Sequence, residues 1–476
     1  MTQVYATARE MLADLTAKKI SARELLDLHT ARNTAVGGKL NAVISTDLEH
    51  AQAAAKSIDD ARAHGATLGA LAGLPMTIKD GYDVTGMPAT SGNPAFAKRD
   101  KNCVDADMVN AVRKEGAVVW GKTNVPFMLG DIQSYNDIYG TTNNPYDVTR
   151  TPGGSSGGAA AALAAGITPL EIGSDIGGSL RHPANFCGVC SLKPTWGVLS
   201  QRGQIPPVPG HYYEPDLGVA GPMARNVGDL RLLWNVLRGK GGAAATSTKG
   251  ARIAVWDEEA SWPLAAEVRG GVTRAADALA KAGAHVEHAK PDIDGARLMN
   301  FYRVILTSIV SVGMPDEVFR HFESMRDADR KIVMENGEGA AEASSRLGMV
   351  ATPRDLAWAY TEQQSHKDAL TNFFDDYDAV LMPITMVTAF AHMHTPSFPE
   401  RVLSVDGQSV PYPALLNWIS PATALHAPAL AVPAGQTATG LPVGVQLMGP
   451  WHKEDRLFDL AAALEGQMGG FKAPAL

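Results

Sequence analysis

At 476 residues the chain is long enough for one large domain or two to three smaller ones, and 45% hydrophobic with 19% charged residues describe a globular protein with a sizeable core, which excludes disorder. A net charge of −8 without a basic tract argues against a sequence-independent nucleic-acid surface. The opening residues lack a basic start and an apolar run, and the longest weakly polar stretch, 159–170, falls short of the roughly 20 apolar residues of a membrane span, so the expectation is a cytoplasmic protein with no nucleic-acid and no membrane partner.

Residues 1–65 read as helical: Ser21 with Glu24 forms a capping box ahead of Leu25, Leu26 and Leu28, and 46–64 is rich in Ala, Asp and Glu. From Gly73 short apolar strands alternate with helices, with strands at 74–78 and 117–121 around a helix at 105–115, which implies an α/β sheet. The polar, aromatic stretch 121–151 reads as a long loop over that sheet, and 156–165 as a helix of small residues that packs closely against it. A proline-rich surface loop at 205–221 and a glycine-rich turn at 239–243 follow. Strands at 252–256 and 284–288 bracket a helix carrying Val268, Val272, Ala276 and Leu279, a βαβ candidate. Residues 297–377 are mainly helical, with Thr352-Pro353 as cap and first residue of one helix, and 379–384 and 429–432 read as buried strands returning to the sheet.

Three cysteines, Cys103, Cys187 and Cys190, fit a reducing compartment better than a disulfide framework. Cys187 and Cys190 have redox-motif spacing without a thioredoxin-like context, and a zinc site would need two more ligands, so they read as structural thiols and no metal or cofactor is expected.

Chemistry concentrates in two glycine-framed serines, Ser155 in Gly153-Gly154-Ser155-Ser156-Gly157-Gly158 and Ser179 in Asp175-Ile176-Gly177-Gly178-Ser179-Leu180-Arg181. Glycines let the backbone expose N–H groups without Cβ crowding, and Ile176, Gly177, Gly178 and Ser179 could together form an oxyanion hole beside a Ser179 nucleophile. A serine needs a base; Lys79, at the end of the 74–78 strand, can serve once burial has lowered its pKa.

These residues, with Pro183-Ala184-Asn185-Phe186-Cys187-Gly188, Lys193-Pro194-Thr195 and the late Gly440-Leu441-Pro442-Val443-Gly444 segment, resemble the amidase signature family of serine hydrolases over roughly 10–240 and 380–465. The resemblance implies a large twisted mixed β-sheet core flanked by many α-helices. It implies Ser179 as nucleophile, Ser155 as a bridging serine after a cis Gly154–Ser155 peptide, and Lys79 as base. Asp175 and Arg181 are then a supporting ion pair, and Ser156 and Ser174 hydrogen-bond within the two loops. Ala159 departs from the pattern where many relatives carry a third serine.

On this reading residues 1–476 form one domain with a helical segment (1–65), a catalytic core (66–240), a substrate-shaping α/β and helical region (245–377) and a return to the core sheet (378–476). The expected activity is hydrolysis of aryl or acyl amides, with ester or carbamate cleavage by the same acyl-enzyme. The substrate is then a small-molecule amide, ester or carbamate, with a possible homodimer. The pocket is expected to draw on Met128, Gln133, Tyr135, Tyr212, Tyr213 and the stretch near 301–314. The alternative is the glutaminase subunit of a transfer-RNA-dependent amidotransferase, against which His182 stands where that subunit typically has Gln. The Gly153–Gly157 run also satisfies a nucleophile elbow, which would make Ser155 the nucleophile and need one of His366, His392, His394 or His426 as base.

Overall fold

Residues 3–206, 208–209, 213–242, 245–312, 314–337 and 339–476 are described by a computed structural model. Pro207, Gly210–Tyr212 and Ala243, part of the expected loop and turn, therefore lie outside the described residues.

Two capping boxes start the chain. Thr7 with Glu10 caps α1 (Ala8–Thr16) and Ser21 with Glu24 caps α2 (Ala22–Leu40). The N-terminal segment is not wholly helical, because β1 (Val43–Thr46) separates α2 from α3 (Leu48–Ala63). Then come β2 (Pro75–Lys79), α4 (Asp107–Lys114), β3 (Val118–Thr123) and two short paired strands, β4 (Tyr135–Asn136) and β5 (Gly140–Thr141), inside the expected loop. The middle continues through α5 (Gly157–Ala164), β6 (Leu170–Asp175), α6 (Arg181–Cys187), β7 (Cys190–Lys193), β8 (Val219–Ala224) and α7 (Val227–Leu237).

The expected βαβ unit is β9 (Arg252–Val255), α8 (Ala266–Lys281) and β10 (His285–His288), with its two strands parallel. Four helices fill the predicted helical stretch: α9 (Gly295–Val310), α10 (Asp316–Glu335), α11 (Ala340–Met349) and α12 (Pro353–Phe373), the last capped by Thr352 with Pro353 first. The chain closes with β11 (Ala379–Pro383), the β12 (Val402–Val405) and β13 (Gln408–Pro411) hairpin, α13 (Ser420–Ala424), β14 (Ala429–Gln436), β15 (Pro442–Met448) and α14 (Glu454–Met468).

Eight strands make one mixed sheet in the order β10-β9-β11-β15-β14-β7-β8-β6, parallel among β10, β9 and β11 and antiparallel across the rest. Successive residues of a strand point to opposite faces, and here both faces are covered: Ile253 and Val255, Leu430 and Val432 enter one apolar cluster, while Ala254, Ala429 and Ala431 enter the other. That double burial is why these strands read as unbroken apolar runs.

β2 and β3 do not join this sheet. With β1 they form a separate three-stranded sheet, order β1-β3-β2. An apolar run announces burial without saying which sheet will bury it. The small sheet is tied to β6, the edge strand of the large sheet, by the hydroxyl of Thr77 in the middle of β2, which donates to Glu171 Oε1 at 2.7 Å.

Candidate active site

Lys79 ends β2, Ser155 and Ser156 precede α5, and Ser174 and Asp175 end β6, so three elements bring their termini together. Lys79 Nζ donates to Ser155 Oγ at 2.8 Å, Ser156 Oγ at 2.8 Å and Ser174 Oγ at 3.0 Å. Lys79 is fully buried, Ser155 is 1% exposed and Ser179 is 8% exposed. The Ser179 hydroxyl has no hydrogen-bond partner among the described residues, whereas its carbonyl accepts from Ser156 N–H at 3.2 Å.

Two lysines stand side by side here, and the fold separates their chemistry. Lys122 on β3 takes the Asp80 carboxylate at 3.1 Å and donates to the carbonyls of Tyr82 and Met87. Lys79 is left with hydroxyls and one carbonyl. Burial pulls its ammonium down to about 7, opposed by the Asp175 and Glu171 carboxylates. Burial likewise pushes Glu171 up to about 7, against the hydrogen bonds from the Thr77 hydroxyl and Ile172 N–H. A lysine at that value is free of its proton for much of its time near neutrality, as a base must be.

Ser155 is aimed by backbone. The Gly154–Ser155 peptide is cis, and Gly153 sits at φ 89°, a region that favours glycine. A Cβ on Gly154 would lie 2.6 Å from both Asp131 O and Gln133 N, so only glycine lets the serine loop rest on the 131–133 segment. That segment is itself clamped. Asp131 pairs with Arg401 at 2.6 Å and accepts from Tyr412 Oη at 2.8 Å, and the Gln133 side chain donates to Met393 O at 2.6 Å and accepts from Met393 N at 2.9 Å.

The loop after β6 is held by Asp175. Its carboxylate accepts from Gly178 N–H at 2.8 Å, Leu180 N–H at 3.1 Å and both Arg181 Nε and Nη2 at 3.0 Å. Burial raises this carboxyl, and Arg181 more than reverses the effect, holding it well below the usual range. Gly178 N–H is thus spent on Asp175 and is not available to an oxyanion, contrary to expectation. The N–H groups of Ile176, Gly177 and Ser179 have no partner among the described residues and remain to serve one.

His182 donates through Nε2 to Leu415 O at 3.0 Å, and burial followed by the Arg181 charge lowers it to about 4, so it is a neutral core residue. The four histidines that an elbow mechanism would need lie elsewhere: among the described residues none bonds Ser155 or Ser179, and His426, for example, pairs with Asp216 at 2.6 Å. Cys187 and Cys190 are free, buried thiols, both pushed up by burial.

The expected pocket does not assemble as the sequence suggests. Gln133 is consumed by Met393, and Tyr135 by Asp131, Arg401 and a stack on His394 at 3.9 Å between ring centroids. Met128 borders the loop at φ 48° with its N–H donating to Ser91 O, Tyr213 is half exposed, and Tyr212 lies outside the described residues. What reaches the oxyanion loop from the expected 301–314 stretch is Tyr302, whose hydroxyl donates to Ile176 O at 3.0 Å. Sequence reading missed Glu171, Asp131 and Arg401, because each acts through a partner far away in the chain. Among the described residues no helix is long and apolar enough to cross a membrane, and no group of His, Cys, Asp and Glu is placed to hold a metal.

A family model described as Amidase matches residues 24–458. The A-subunit of the glutamyl-tRNA(Gln) amidotransferase of Salinispora arenicola (strain CNS-205) is 33% identical, with 100% of each chain covered. That of Anaeromyxobacter dehalogenans (strain 2CP-C) is 31% identical over 98% of this chain and 97% of its own. Among solved structures, a chain from a vestigial protein complex bearing on the origins of an s-triazine catabolic enzyme matches with TM-score 0.80, 28% identity and coverage of 99% and 100%. A crystal structure of an amidase matches with TM-score 0.79, 26% identity and coverage of 98% and 100%.

These relatives overturn the expected partner set of a small-molecule amide, ester or carbamate with no nucleic acid and a possible homodimer: the full-length matches are single subunits of enzymes named for a tRNA-linked substrate. Net charge could not decide this, since −8 is a sum over the residues of this chain and not a property of an assembly around it. The family itself stands as the motifs implied: this chain belongs to the amidase family of carbon–nitrogen hydrolases.

Proposed function

We propose that the chain breaks a carboxamide C–N bond by acyl transfer and releases ammonia, in the part that the matching subunit plays in a tRNA-dependent amidotransferase. The observation that carries the chemistry is the buried Lys79 with Nζ 2.8 Å from Ser155 Oγ. In this mechanism Ser179 Oγ attacks the amide carbonyl while its proton passes to Ser155 and the Ser155 proton to neutral Lys79. Developing charge on the carbonyl oxygen is met by N–H groups of Ile176, Gly177 and Ser179. The protons then return along the same path to the leaving nitrogen, the acyl-serine forms, and water or another acceptor resolves it. Asp175 and Arg181 hold the oxyanion turn, Ser156 and Ser174 hold the lysine, and residues 245–377 shape the substrate side through Tyr302. Identity of about one third across the full length of both chains supports the amidotransferase role.

One observation favours a second reading, hydrolysis of aryl or acyl amides with ester or carbamate side activity. A Cβ on Gly177 would meet Leu416 Cδ2 at 3.3 Å and Tyr302 Oη at 3.6 Å, so the groups directly against the oxyanion loop are a leucine and a phenol, which suit an aryl or acyl body. The two are separated by measuring ammonia from glutamine, alone and with candidate partner subunits, beside a panel of nitroanilides, primary amides, esters and carbamates. Glutamine turnover above the Lys79→Ala background, raised by a partner, is the expected result. Turnover of anilides with none of glutamine under either condition would replace the first reading by the second.

A further inference from the structure

α9 carries side chains to two places. Tyr302 bonds the oxyanion loop, while Met299, Asn300 and Arg303 line a cavity of about 720 Å³ whose wall includes neither Lys79, Ser155 nor Ser179. That volume suits a ligand of moderate size. Trp262, Met299, Phe322 and Val410 make much of the wall apolar, and Trp262 is fixed by a stack on Trp256 with centroids 5.7 Å apart.

Two polar groups in this wall are left unspent. Asn417 is 5% exposed, and its amide oxygen has no hydrogen-bond partner among the described residues. The Arg303 side chain makes no hydrogen bond or ion pair among the described residues; the Glu342 carboxylate acts on it only through space. The neighbouring cation, Arg346, is already neutralised by Asp329 at 2.6 Å. A buried amide oxygen without a partner is costly unless something supplies one, and the half-buried Arg303 guanidinium keeps its donors free at the cavity wall. One unspent positive charge, with Glu342 nearby, matches a monoanion rather than a phosphate dianion, and a guanidinium fork fits a carboxylate.

We propose that this cavity binds a carboxylate carried on an apolar or aryl body, with Arg303 holding the carboxylate and the Asn417 amide oxygen accepting from an N–H or O–H group beside it. The carboxylate could be the acid end of a substrate or a separate effector. Tyr302 and Leu416, the chain neighbours of Arg303 and Asn417, both abut the oxyanion loop, so either source would sit beside the catalytic centre.

Calorimetric titration of the full-length protein with phenylacetate, 2-phenylethanol and phenyl phosphate tests this. Phenylacetate should bind about tenfold or more tightly than the uncharged alcohol. Arg303→Leu should abolish that difference, and Asn417→Asp should weaken the acid while sparing the alcohol. Lys79→Ala should leave binding unchanged, which keeps this result separate from the fate of the catalytic reading. In turnover assays, phenylacetate raising KM alone marks the substrate's acid end, and a changed kcat marks an effector. Equal affinity for acid and alcohol, equal or tighter binding of phenyl phosphate, or an effect that survives both substitutions would overturn the assignment.

Discussion

Lys79→Ala lowers kcat on whatever amide the protein turns over by about 10²–10⁴-fold, the range for losing a positioned base. The substitution removes the group joining Ser155, Ser156 and Ser174, and water in the vacated space can bond the three hydroxyls in its place, so the fold should persist, as a near-UV circular dichroism spectrum would show. The pH profile carries the same information. Lys79 acts as base only when neutral, and with its value near 7 the rate should rise with pH through about 7 and level off above it. Below that value the ammonium cannot accept the Ser155 proton and turnover falls roughly tenfold per pH unit. Retained turnover in Lys79→Ala, or a rate flat from pH 6 to 8 in the unaltered protein, counts against the lysine.

The second large effect is on stability. Asp175 and Arg181 are both completely buried, and Arg181 also donates to Ile419 O at 2.8 Å, Gln446 Oε1 at 3.1 Å and Thr423 Oγ1 at 2.6 Å, which joins β6, α6, α13 and β15 at one guanidinium. Removing one member of such a pair strands the other charge in a dry interior. Asp175→Ala should therefore cost about 3–5 kcal/mol, read as a lower denaturant midpoint, and should also reduce turnover by freeing the Gly178 and Leu180 N–H groups that set the oxyanion turn. Because Asp175 titrates below its ordinary 3.8 in the folded chain, its contribution is complete above that pH and fades as pH falls through the folded value. The unaltered protein should lose stability over that acid range more steeply than Asp175→Ala.

Local signals in the chain were enough for the pieces. Ser21, Thr352 and Pro353 mark helix starts by capping chemistry, and the glycines around Ser155 and Ser179 mark turns that regular secondary structure would not need. Lys79 was legible as a strand-end lysine that burial could turn into a base, but its lack of a carboxylate partner was not: Asp80 follows it directly, and only the structure shows that this carboxylate is given to Lys122 instead. The partition of β1, β2 and β3 into their own sheet was hidden for the same reason, since pairing between Val43 and Thr123 is a long-range choice with no local signature. Gln133 and Tyr135 were polar and aromatic in a loop bordering the site, which made them plausible pocket residues. Their partners, Met393 and Arg401, lie more than 250 residues away in the chain and use both side chains to brace the serine loop.

The proposed mechanism rests on Ser179, not Ser155, forming the acyl bond. A fluorophosphonate that adds irreversibly to nucleophilic serines, followed by peptide mass spectrometry, reads this directly. The expected adduct is on Ser179, with labelling slowed in Lys79→Ala and absent in Ser179→Ala. An adduct on Ser155 with Ser179 unmodified would contradict the mechanism.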